Sequence, residues 1–251
     1  MQADGDFALP NGSVLLKHFR LGGTLVETRL FMRHPDGAWA GYSYEWNAAQ
    51  TDATLVVGGK VAQIGGQSWI FPSGNDCLSC HTAAAGFALG LETAELNHDL
   101  TYPSTGRTAN QIDTLDAIGL FDSPQPDPVA LPALTDPADA AAPLAERARA
   151  YLHTNCAQCH RPNGPTPSSM DLRYPTALTD TQACDAPPQA GDLGLGQAAR
   201  IVAPGDPDHS VLLERMSHRD ANAMPPLGSN LVDDDGVALI RDWIAGLRGC
   251  L

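Results

Sequence analysis

The chain has 251 residues, long enough for two modest domains with a core each. Lys and Arg total 15 against 29 Asp and Glu, a formal charge of -14; that surplus of negative charge argues against nucleic acid or an anionic membrane as a partner. No apolar run approaches the roughly 18 residues of a spanning helix, so no membrane insertion is expected of this chain, and 24 Gly with 20 Pro make it rich in turns.

Residues 11 to 71 read as β. Ser13 to Phe19 is a short apolar run after Pro10-Asn11-Gly12. From Thr24 to Arg33, Val26, Thr28, Leu30 and Met32 fall on one face and Glu27, Arg29 and Arg33 on the other. His34-Pro35-Asp36-Gly37 supplies a turn, Trp39 to Trp46 carries Tyr42, Tyr44 and Trp46 in period two, and Ala53 to Val57 runs into Gly58-Gly59. These predict successive antiparallel strands with an aromatic side. Trp69-Ile70-Phe71-Pro72 then leads to Cys77-Leu78-Ser79-Cys80-His81.

Gly86 to Leu100 mixes helical and turn signals, while Thr108 to Phe121 has Ile112, Leu115, Ile118 and Leu120 at helical spacing. From Asp122 to Pro143 the composition shifts to Pro, Ala and Asp, which predicts a linker or an extended strap over one domain. Leu144, Ala148, Tyr151 and Leu152 form one face of a predicted helix that runs into Cys156-Ala157-Gln158-Cys159-His160. A Gly/Pro-rich excursion follows, then Ala223-Met224-Pro225-Pro226-Leu227-Gly228. A last predicted helix has Val237, Ile240, Trp243, Ile244 and Leu247 on one face, with Asp233-Asp234-Asp235 at its N-terminus.

Two pentads of the form C-x-x-C-H organise this chain. That spacing is the attachment signal of a c-type haem: two thiols add across two vinyl groups, and the adjacent imidazole reaches the iron. A structural zinc site would want a second C-x-x-C or a His pair at matching spacing, and a redox dithiol would want a βαβ context; neither is visible. The expectation is two covalently bound haem c groups, on Cys77, Cys80 and His81 and on Cys156, Cys159 and His160. They divide the chain into a β-rich haem domain (1–121), the strap (122–143) and a second haem domain (144–251). Cys184 and Cys250 remain. Covalent haem attachment normally takes place outside the cytoplasm, where a spare thiol pair tends to oxidise, so a Cys184–Cys250 disulfide is expected. Periplasmic, secreted or cell-surface residence is the matching expectation, and since Met1 to Asp6 has neither a basic n-region nor an apolar h-region, the export signal is expected to be missing from this chain.

A helix before the pentad, a Met-Pro-Pro loop and a closing helix make residues 144–251 resemble a class I cytochrome c domain. The resemblance implies an α+β chain whose second half is all-α, with an insertion that accounts for the 64 residues from His160 to Met224. For the second haem, Met224 is the expected sixth ligand because Pro225 restricts it and, with Pro226, holds the backbone extended; Met170 and Met216 are substitutes, and His209 and His218 are expected at the surface. For the first haem no methionine lies between His81 and Met170, so His98 is the first choice, with His18, His34 and Met32 in the β segment behind it. Gly12 to Phe19, the aromatic strands and then C-x-x-C-H resemble the β-rich cytochromes of the c-prime-beta type and their hydroxylamine-oxidising relatives. As a whole, the order of β-rich region, pentad, strap and pentad resembles a family of bacterial dihaem c-type cytochromes of undefined role.

The leading functional expectation is an electron carrier that passes single electrons between extracytoplasmic redox proteins, docking through its acidic surface to a basic patch on the partner. The competing expectation is a haem enzyme of peroxidase, nitric oxide or hydroxylamine chemistry, with an open first haem and the second haem as relay.

Overall fold

The computed structural model describes residues 5–250; Met1 to Asp4, on which the expectation of a missing export signal partly rests, and Leu251 lie outside the described residues. Four strands build an antiparallel sheet in chain order, β1 (Val14–Leu21), β2 (Thr24–Arg33), β3 (Trp39–Trp46) and β4 (Ala53–Leu55). Gly22 and Gly23, both at positive φ, close the first hairpin so that Leu21 pairs with Thr24. The predicted turn at His34–Gly37 closes the second, with Arg33 opposite Trp39. A further hairpin, β5 (Lys60–Ile64) and β6 (Gln67–Phe71), turns on Gly65-Gly66 and packs Trp69 and Phe71 against Val26.

The faces of this sheet differ from the expected alternation. Tyr42, Tyr44 and Trp46 are only half-buried, whereas Gly41 and Ser43, which alternate with the tyrosines, are buried. On β2 the polar face carries Glu27, fully buried, and Phe31, also buried. That face is covered because the first pentad packs on it. Glu27 survives there because Arg29 grips it through two N–H groups at 2.7 and 2.9 Å, Trp69 Nε1 donates at 3.0 Å and the Ser43 hydroxyl donates as well.

Beyond the sheet come α1 (Gly74–Leu78), α2 (Thr93–Leu96), a small hairpin of β7 (Asp99–Thr101) and β8 (Thr108–Asn110), and α3 (Gln111–Ala117). The helix predicted over 108–121 is thus shorter, since Thr108–Asn110 pairs as β8 and the Asn110 side chain caps α3 through the Ile112 N–H at 2.8 Å. Ile112 is buried, but Ile118 and Leu120 are exposed. Residues 122–143 form a strap across α2. Its prolines lack N–H groups, and its carbonyls find a donor in Asn97, whose amide reaches Pro128, Leu131 and Pro132 at 2.9, 3.2 and 3.2 Å. Leu134 is buried and its N–H bonds to Ala94 O at 2.9 Å.

The expected all-α class I cytochrome c-like domain over 144–251 is not what the chain forms. Here α4 (Leu144–Cys156), α5 (Val211–Met216) and α6 (Asp234–Gly246) are separated by long irregular segments, and the described residues are β-rich overall, with three antiparallel sheets and only short helices among them. Between α4 and α5 there are only 3-10 turns and isolated bridges such as Cys184–Val202. Pro162, Pro165, Pro167, Pro175, Pro187 and Pro188, with Gly164 among them, remove N–H groups a helix needs and clash with the preceding turn. A core nevertheless forms from the helices and this excursion, with Leu152, Leu172, Val202, Leu213, Ile240 and Ile244 at its centre. α6 packs on α4, where Tyr151 lies against Gly236 and donates to the N-capping Asp233 at 2.9 Å. The disulfide Cys184–Cys250 is present, tying the excursion to the chain end after α6.

Candidate functional site

The first pentad begins on a helix that its own sequence nucleates. Ser73 and Asp76 form a capping box, Asp76 N–H to Ser73 Oγ at 3.2 Å and Ser73 N–H to Asp76 Oδ2 at 2.8 Å. The chain then turns so that the N–H of His81 bonds to Cys77 O at 3.0 Å. The second pentad repeats this turn at the end of α4, His160 N–H to Cys156 O at 2.9 Å. Two segments far apart in sequence thus hold two thiols and an imidazole on the same backbone scaffold.

Each pentad is seated differently. Cys77 rests on β3 at Gly41, where a Cβ would fall 2.6 Å from Cys77 Cβ, so only glycine fits. Burial pushes the Cys77 thiol up, against the pull of Arg29. The His81 ring packs on Phe31 at 4.0 Å between centroids, and Trp39 stacks on Phe31 at 5.0 Å and Phe87 at 6.2 Å. His81 Nδ1 meets Phe87 O at 2.6 Å, while Nε2 makes no hydrogen bond among the described residues. Burial holds this imidazole below its usual pKa, the Phe87 carbonyl opposing, so it is neutral near pH 7 with its lone pair on Nε2.

The second pentad borders an apolar cavity of about 160 Å³ that opens to solvent, lined by Cys156, His160, Met170, Leu212, Met216 and Met224 among others. Burial raises the Cys156 thiol to about 12 and holds His160 down, with Arg215 adding to the latter. His160 Nδ1 is buried without a hydrogen-bond partner, a cost of about 1–3 kcal/mol for such a group.

The two pentads meet. The free thiols of Cys80 and Cys159 share a hydrogen bond, which lowers Cys80 to about 7 and raises Cys159. Arg161, directly after the second pentad, donates to Ala84 O at 3.0 Å and lies 3.9 Å from Asp6. On the other flank His153 Nε2 reaches Glu92 Oε1 at 2.6 Å. Gly228 in the Met224 loop lies near the end of the Arg29 side chain, where a Cβ on it would fall 3.9 Å from Nη1.

Of the residues singled out from sequence, Met224, Met170 and Met216 line the cavity with His160. His98 sits between α2 and β7; its ring makes no hydrogen bond among the described residues and takes no part in the ring contacts around His81. His18 and His34 are engaged on the sheet by Thr28 at 2.7 Å and Tyr42 at 2.9 Å. His209 and His218 pair at the surface with Asp206 and Glu214. Sequence reasoning missed the buried group of Glu92, Glu95 and His153, whose ligand atoms lie within 4.8 Å of one another. His153 Nδ1 accepts the Tyr174 N–H at 3.0 Å, so its proton is on Nε2 and goes to Glu92, leaving no imidazole lone pair for a cation. No helix among the described residues is long and apolar enough to cross a membrane. Comparison of the chain with protein-family models, with curated proteins and with solved structures finds no match.

Proposed function

We propose that the chain is a dihaem c-type cytochrome that carries single electrons between extracytoplasmic redox partners. The observation that supports this best is the repeated pentad turn, each carrying two thiols and an imidazole, with His81 fixed by the Phe87 carbonyl in the tautomer that leaves Nε2 free to ligate. The Gly41 cradle is filled by Cys77 itself; at the second site the apolar cavity beside Cys156 and the orphaned Nδ1 of His160 suit a partly apolar occupant better than a closed zinc site.

In this reading Cys77 and Cys80, and Cys156 and Cys159, anchor the two groups, His81 and His160 ligate the irons, and Met224 supplies a thioether at the second. The bound haem would supply a one-electron couple, whose potential a His/Met ligand pair raises. The protein's part is to hold the imidazoles neutral, exclude water with Phe31, Trp39 and Phe87, and present an acidic surface to a basic partner. Mass spectrometry of the denatured protein tests the reading: the polypeptide plus two haem masses is expected, and Cys156→Ala with Cys159→Ala should remove one. Unmodified thiols, or zinc, after maturation in a host competent for haem attachment would end it.

A further inference from the structure

Away from both pentads, the small hairpin of β7 and β8 and the exposed side of α3 enclose a groove of about 420 Å³ that opens to solvent, lined by Tyr102, Arg107, Asp113, Thr114 and Ile118 among others. That volume lies in the range of about 300–1,000 Å³ usual for small-molecule sites. Its walls are held by bonds within the chain. At the hairpin tip the N–H groups of Thr105 and Gly106 reach Tyr102 O at 3.1 and 2.8 Å, and the Thr101 and Thr108 hydroxyls bond across the strands at 2.7 Å. At the other end Asn110 caps α3 and donates to Asn97 at 2.8 Å, the residue that also holds the strap.

Three observations point to a ligand in this groove. Arg107 and Asp113 have opposite charges and line it together, yet they pair neither with each other nor with any other side chain among the described residues. Ile118, just past α3, is 69% exposed while Ile112 on the same segment is 1% exposed, so the fold keeps one apolar side chain out of the core and in the groove. Tyr102, half-buried at the hairpin tip, adds an aromatic surface.

We propose that the groove binds a neutral saccharide, whose hydroxyls bridge Arg107 to Asp113 and whose apolar ring face rests on Tyr102 and Ile118. A hydroxyl both donates and accepts, so one sugar edge serves a guanidinium that only donates and a carboxylate that only accepts. An anion is repelled by Asp113 and by a chain of formal charge -14, and a cation is repelled by Arg107. A zwitterion matches both charges but sheds water from two of its own, at an open site where exposed ion pairs contribute little. The inference does not depend on the haem reading, since no residue of either pentad lines the groove.

Saturation-transfer NMR on the mature chain with cellobiose, maltose and lactose is the test, with glucuronate and glycine betaine as the charged and zwitterionic comparisons. At least one disaccharide should bind saturably, with an affinity that is the same at low and high salt. Arg107→Ala and Asp113→Ala should each weaken that binding about tenfold, the loss of one hydrogen-bonding partner. Both side chains are exposed, so the far-UV circular dichroism of each variant should stay that of the parent. No saturable binding of any of the three sugars, binding untouched by both substitutions, or preference for glucuronate or betaine would overturn the proposal.

Discussion

His153 and Glu92 are hydrogen-bonded at 2.6 Å across 61 residues of sequence, and both are buried. The bond fixes the helix that delivers the second pentad to the segment that follows the first. Glu92→Ala leaves the Nε2–H of His153 buried without an acceptor, a cost of about 1–3 kcal/mol. Urea unfolding should show it as a lower midpoint with the slope kept; an unchanged midpoint would mean the bond is idle.

Two glycines separate fit from flexibility. Gly41→Ala drives a methyl into Cys77 and should destabilise by about 1–3 kcal/mol, with loss of the first haem mass. Gly246→Ala, at the end of α6 with nothing within 4 Å, should be neutral or stabilise by up to about 1 kcal/mol. Equal effects from the two would contradict the cradle. Both are read by thermal denaturation and intact mass.

Removal of the disulfide is the third case. Cys184 and Cys250 are 66 positions apart, and in the chain-entropy account closing such a loop stabilises by roughly 4 kcal/mol. Cys184→Ala with Cys250→Ala should lower the unfolding midpoint accordingly, and alkylation of the native, non-reduced protein should label neither residue.

Glu95 gives the protein a pH dependence of definite sign. Its carboxyl is raised above the ordinary 4.5, first by burial and then by Glu92, with His153, Thr154 and Arg161 opposing. A carboxyl raised in the folded state holds its proton better there than in the unfolded chain, so stability falls as pH rises from 4.5 through the folded value. Glu95→Gln should flatten that limb of the pH profile relative to the parent. A parallel profile would show that the carboxyl does not titrate as described.

At the second site Met224→Ala should abolish the thioether-to-iron absorption feature of the oxidised protein and lower its reduction potential. Met170→Ala should leave both in place. The reverse result would transfer the ligand role to Met170, which borders the same cavity.

The pentads, the first four strands and the helices α4 and α6 were legible because each announces itself locally: a fixed spacing, a period of two, a period near 3.6. The sidedness of the sheet was not. Nothing in the alternation of Trp39 to Trp46 says that the small residues Gly41 and Ser43 face the interior; that follows from Cys77, which lies far along the chain. The all-α expectation for 144–251 failed for a related reason: two helices and a Met-Pro-Pro loop are compatible with many connections, and the prolines of residues 162–188 exclude helix between them. His153 could be read only as a helical residue near a pentad, because its partner Glu92 comes from a segment with no periodicity.

On the proposed chemistry, the meeting of Cys80 with Cys159 also dictates an order of maturation. Half-buried in the folded chain, these sulfurs are less accessible to an attachment enzyme than on an open one. On that chemistry both covalent additions are favoured before the two pentads dock, which places docking late in biogenesis.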